Sequence, residues 1–140
     1  MKIELSNNVE EIEIERNGEP AGKIEISLSD PTLLARLRSV RGKVQEIQEK
    51  SRLNELTDDL DASLEEAERI DREMKDVLDW AFGAKVSDVA FGDSFCFATD
   101  CGVTMMEQFL AGVTPGIEKA FKAELKAAEE RQDKYLSKYK

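Results

Sequence analysis

Isoleucine alternates with glutamate from Glu11 to Glu15, and a second alternation runs from Lys23 through Ile24, Ile26 and Leu28 to Ser29. A period of two sets one apolar face against one solvated face, so each run predicts a β-strand. Asn17-Gly18, Pro20 and Gly22 lie between the runs and predict a hairpin whose loop is somewhat longer than two residues. Lys2 to Leu5 is a candidate for a third, shorter strand. A hairpin is not stable alone, so its apolar face is expected to lie on helices or on another chain.

The period changes at Asp30-Pro31, an N-cap acceptor followed by the residue that best tolerates the first helical position. From there Leu33, Leu37, Val40, Val44 and Ile47 recur at intervals of four and three, a short heptad seam interrupted only by Gly42. The register slips around Asn54–Asp59, which predicts a turn or kink. A second helical run continues through Leu56, Leu60, Leu64, Ala67, Ile70, Met74, Val77 and Leu78, with Ser63 and Glu66 spaced for a capping box if the helix begins late. Gly83 is placed to stop it. Residues 77–113 are the most apolar part and hold five of the six phenylalanines, with glycines at 83, 92, 102 and 112 dividing them into short helices around a core. Thr114-Pro115 repeats the helix-start signal. The last helix carries Ile117, Phe121, Leu125, Ala128, Tyr135 and Tyr139 near one side, and its sparse later turns predict an end that projects or frays. The expected fold is therefore α+β and mainly α, in a single domain over residues 1–140. A β-hairpin (1–30) packs on an antiparallel helical hairpin (31–82) and on a C-terminal helical core (83–140).

Composition then narrows the chemistry. The chain has 20 Lys+Arg, 30 Asp+Glu and no histidine. Serine or cysteine triads that need an imidazole base, and zinc sites with histidine ligands, are excluded. A net charge of −10 disfavours nucleic-acid phosphates and anionic membrane surfaces as partners. By segment, the net charge is −5 over residues 1–30, +4 over 31–53, −8 over 54–82 and −1 over 83–140. An antiparallel pair of helices would set Arg36, Arg38, Arg41 and Lys43 near the acids of the second helix, fixing orientation more than stability. No apolar run is long enough to span a bilayer, and the start MKIELSNN lacks the pattern of a secretory signal. Cys96 and Cys101 are expected to be buried and reduced, which implies a cytoplasmic setting.

Three local patterns suggest chemistry, and their surroundings remove it. Gly92-Asp93-Ser94 resembles the start of an esterase motif, but no histidine exists to activate the serine; Asp93 and Ser94 are expected to cap a following helix. Asp58, Asp59 and Asp61 would begin a calcium loop only if its sixth residue were glycine and its twelfth glutamate, and these are Ser63 and Arg69. The basic cluster of the first helix has no aromatic neighbours for base stacking. No catalytic, cofactor-binding or metal-binding residue is assigned, and no enzyme activity is expected.

The succession of a β-rich start, a heptad-like helix with RGKVQEIQEK, an acidic helix ending DVLDWAFGAKVSDVAFGD, and Met-Met-Glu-Gln-Phe-Leu before a lysine-rich helix resembles the tail assembly chaperones of long-tailed phages and prophages of Gram-positive bacteria. The most specific stretch is residues 76–92, where Phe82-Gly83 and Phe91-Gly92 form a pair of Phe-Gly steps nine residues apart. The chain departs from the family pattern in its longer N-terminal β segment and in having Leu33, Leu34 and Leu37 where early aromatics are common. The resemblance implies a non-enzymatic protein in the host cytoplasm that binds the long helical tape-measure protein, with self-association admitted. A client helix would use an apolar strip such as Val40, Val44 and Ile47, unless that strip is intramolecular core. A secretion-type chaperone, a structural virion component and an acidic DNA-mimic inhibitor are the rival expectations.

Overall fold

The computed structural model describes residues 1–55 and 58–138; Leu56 and Tyr139 of the patterns above lie outside the described residues. Strands β1 (Glu10–Arg16) and β2 (Glu19–Ile26) pair antiparallel. Their turn is tighter than the sequence suggests. Asn17 (φ 53°) and Gly18 (φ 80°) both occupy the left-handed region, the conformation of a two-residue hairpin turn whose twist matches its strands. The chain re-enters the sheet at Glu19, and the surplus residue is absorbed by a bulge, with Ile14 opposite Gly22 and Glu15 opposite Pro20. No third strand forms at Lys2–Leu5. Asn8 turns the segment through a left-handed conformation, and Ser27 Oγ donates to the Asn7 carbonyl at 2.6 Å, tying the segment to the end of β2 rather than along a strand edge.

Helix α1 (Pro31–Glu49) starts where the Asp-Pro signal places it, with Asp30 accepting the Thr32 N–H at 2.9 Å. A short 3-10 turn (Leu53–Glu55) leads toward α2 (Leu60–Phe82), which runs back antiparallel to α1. Asp59, and not Ser63, is the N-cap of α2, accepting from the Ala62 N–H at 3.1 Å. Glu66 is thereby released from the expected capping box and reaches back to accept the Arg52 N–H at 2.6 Å, where it holds the turn between the helices.

Charge does not bind α1 to α2 as expected. Among the described residues no ion pair joins them; Arg69 bridges Glu66 and Glu73 within α2 itself. The basic residues meet an aromatic ring instead. Arg36 Nη1 donates to the Trp80 carbonyl at 3.0 Å, and Arg36 and Lys43 lie 5.3 and 4.8 Å from the Trp80 ring centroid. Cation–π contacts of this kind contribute about 0.5–1 kcal/mol at exposed sites.

The Arg69 guanidinium and the Arg52 N–H hold the Glu66 carboxyl below the usual glutamate range. A depressed folded-state pKa contributes stability above the unfolded value, and that contribution is lost as pH falls through the folded value. E66Q is therefore expected to be less stable than the parent at neutral pH. In urea titrations repeated across pH, the gap should close as the solution passes below the ordinary glutamate pKa of about 4.3. A gap independent of pH would assign Glu66 a purely steric role.

Gly83 (φ 66°) ends α2 in the left-handed conformation that glycine adopts without a Cβ clash, and α3 (Val86–Phe91) follows at once. Asp79, in the last turn of α2, grips the first turn of α3: its two carboxylate oxygens accept the Ser87 N–H and Oγ–H, each at 2.8 Å. Asp93 and Ser94 cap no helix. They lie in a turn pinned to α2, where Lys75 Nζ donates to the Ser94 carbonyl at 2.9 Å and the buried Asp71 accepts the Cys96 N–H at 2.7 Å. A miniature hairpin, β3 (Thr99–Asp100) with β4 (Val103–Thr104), leads into α4.

Helix α4 (Met105–Ser137) corrects the Thr114-Pro115 start signal. It begins ten residues earlier at the Thr104 cap, whose Oγ1 accepts the Glu107 N–H at 3.1 Å, and passes through Pro115 without ending. Proline in a helix interior costs about 3 kcal/mol. Here Val113 and Ile117, both buried on either side of it, hold the helix onto the core. One hydrophobic cluster joins Ile24, Ile26 and Leu28 of the β segment to Leu33, Leu78, Phe91 and Ile117, so the hairpin packs on helices as expected.

Candidate functional site

The strip Val40, Val44 and Ile47 is turned inward. Val40 is 1% exposed, and Val44 and Ile47 are half-buried against the core. The sequence pattern correctly marks an apolar face; Val40 is closed to a client helix, while Val44 and Ile47 keep part of their surface.

An apolar surface lies elsewhere. The two Phe-Gly steps end two successive helices, and both rings turn onto the same residue of α4. Phe82 and Phe91 meet Phe109 edge to face, with centroid distances of 5.5 and 6.2 Å and interplanar angles of 66° and 68°. Phe91 and Phe109 of this aromatic group line a groove of about 810 Å³ between β1 and α4. Ile12 and Ile14 line its sheet side, and Met105, Phe109 and Val113 line its helical side. Gly112 and Gly116 lower the helical wall, and a Cβ at either would meet nothing within 4 Å. Glu13, Glu15 and Asp100 stand at the groove against a single cation, Arg16, whose guanidinium donates to the Val89 carbonyl. The edge of β1 away from β2 is unpaired, because the sheet has only two strands. An open edge above an apolar floor can take an extended or helical apolar segment, and the carboxylates favour one with cationic flanks.

Comparison with family models, with characterised proteins and with solved structures finds no match to this chain. The groove therefore has to be read from its own chemistry.

Among the described residues, no group of cysteines and carboxylates is arranged to hold a metal ion. No described helix is long and apolar enough to cross a membrane. The two cysteines differ in environment, contrary to the expectation that both are buried. Cys96 is fully buried with its sulfur 3.9 Å from that of Met74, whereas Cys101 is exposed at the tip of the β3–β4 turn. Burial, reinforced by the neighbouring Asp71 carboxylate, pushes the Cys96 thiol up to about 12. A thiol so protonated is inert as a nucleophile. Iodoacetamide is expected to label Cys101 alone in the native protein, and Cys96 only after unfolding. Peptide mass spectrometry reads this directly, and native labelling of Cys96 would show that its pocket opens.

The groove is not legible in the sequence because its walls come from distant segments. Ile12 and Ile14 are separated from Phe109 by most of the chain. The one local signal is the spacing of Gly112 and Gly116, one helical turn apart beside Phe109 and Val113.

Proposed function

We propose that this chain is a non-enzymatic binding protein of the phage tail assembly chaperone kind, acting in the bacterial cytoplasm. Its client would be the long helical tape-measure protein. The observation that supports this reading is the open groove between β1 and α4, apolar on its floor and acidic at its rim. Such a groove shields an apolar client segment from aggregation, while the net charge of −10 keeps the complex dispersed. The groove replaces the Val40–Ile47 strip as the proposed docking place. A secretion-type chaperone would be expected to carry a larger sheet than the two two-stranded ones described here.

The test is co-expression with the long tail gene product encoded beside this chain. The client should become soluble and co-purify. Gly112→Phe, which fills open space on a helix, should abolish that rescue while leaving the far-UV circular dichroism of the chain unchanged. A client that stays insoluble with the parent chain, or that is rescued equally by the variant, overturns the reading or its location respectively. Detection of the chain in purified particles would assign it to the virion instead.

A further inference from the structure

Beyond Phe121 the helix α4 leaves the body. Phe121 is half-buried, and every residue from 122 to 138 is exposed. This arm is about 25 Å long at the helical rise of ~1.5 Å per residue. An isolated helix of that length is marginal in water, so a covered face would add much to its stability. Phe121, Leu125, Ala128, Gln132 and Tyr135 recur along it at intervals of four and three, a heptad seam, and Leu125 and Tyr135 remain 53% and 62% exposed.

The charges beside the seam select its occupant. Glu124 and Arg131 flank it on one side, Lys122 and Glu129 on the other. In a parallel pair of these helices, Glu124 of each copy would face Glu129 of the other. In an antiparallel pair with Leu125 beside Ala128 of the second copy, the same-side residues meet: Glu124 with Arg131, and Lys122 with Glu129. The twofold axis makes each of these attractions occur twice. The seam admits several antiparallel registers, and the flanking charges select this one. In it, Phe121 meets Gln132 of the second copy, next to a cleft of about 680 Å³ whose walls are Phe121, Glu124 and Leu125 on one side and Asn7, Asn8 and Ser27 on the other.

We propose that residues 118–135 of α4 form an antiparallel, twofold-symmetric contact with the same segment of a second copy of this chain. The surface lies apart from the β1–α4 groove, so self-association stands or falls separately from client binding.

Sedimentation equilibrium on the full chain is expected to show a monomer–dimer equilibrium. Glu124→Arg and Arg131→Glu, made singly, should each raise the dissociation constant roughly tenfold, since each turns two symmetric attractions into repulsions. The double exchange E124R/R131E should restore the parent value. Both side chains are exposed, so the body should keep its fold, and any ellipticity lost by the single variants should be limited to the arm's share of the helix and regained in the double exchange. A chain monomeric at every concentration overturns the proposal. So does tighter association of E124R alone, which would indicate parallel helices, or a double variant as weak as the singles.

Discussion

Alanine at Phe91 is expected to reduce the unfolding free energy by about 3–5 kcal/mol, the range for removing a phenylalanine from a packed core. Phe91 is 1% exposed and belongs to the cluster that joins the β-hairpin to α2 and α4. Its ring meets Phe109 edge to face, so truncation removes buried area together with an aromatic contact. The surrounding walls come from three elements pinned by separate hydrogen bonds, Asp79 to α3 and Arg16 to the Val89 carbonyl among them, and they cannot collapse freely into the void. Urea unfolding followed by circular dichroism measures the change, with Phe91→Leu as the variant that keeps most of the volume. If alanine and leucine cost the same small amount, Phe91 is not the residue that locks the hairpin to the helices.

Gly92→Ala is expected to be the most damaging change of a single methyl group. Gly92 ends α3 at φ 57° and ψ −128°, where a residue with a Cβ is strained by about 1–3 kcal/mol. The added carbon would also lie 2.8 Å from the Arg16 guanidinium, displacing the side chain whose Nη1 donates to the Val89 carbonyl at 2.8 Å. Gly42→Ala provides the contrasting case. Gly42 lies inside α1 with nothing within 4 Å of the place a methyl group would take, and alanine there should add about 0.5–1 kcal/mol. Thermal melts of the two variants should move in opposite directions. A Gly92→Ala protein that melts with the parent would show that the α3 end relaxes without cost.

The elements that the sequence states locally are those the structure repeats. Period-two alternation is a property of neighbouring residues, and Ile12, Ile14, Ile24 and Ile26 form the apolar face it predicts. Asp30-Pro31 and Gly83 act within one turn of themselves, and both helix ends fall there. The mainly α, α+β architecture follows from these signals. Errors arise where a tertiary partner outcompetes a local signal. Ser63 and Glu66 have capping-box spacing, but Glu66 finds the Arg52 N–H across the helix pair. Thr114-Pro115 looks like a helix start, yet Val113 and Ile117 are more stable buried together on one continuous helix. The groove is the least legible feature. Nothing near Ile12 in sequence says that Phe109 will stand opposite it, and the Val40 strip is equally apolar in sequence but is turned inward.

The contact of Trp80 with Arg36 and Lys43 gives the molecule an intrinsic optical reporter. Trp80 is the chain's one tryptophan, 42% exposed at the end of α2, with two cations from α1 close to its ring. Its emission consequently reports on the contact between α1 and the end of α2, while far-UV ellipticity sums all the helices. Partial opening of the helical hairpin would thus be visible as a colour change in fluorescence before any loss of helix is detected.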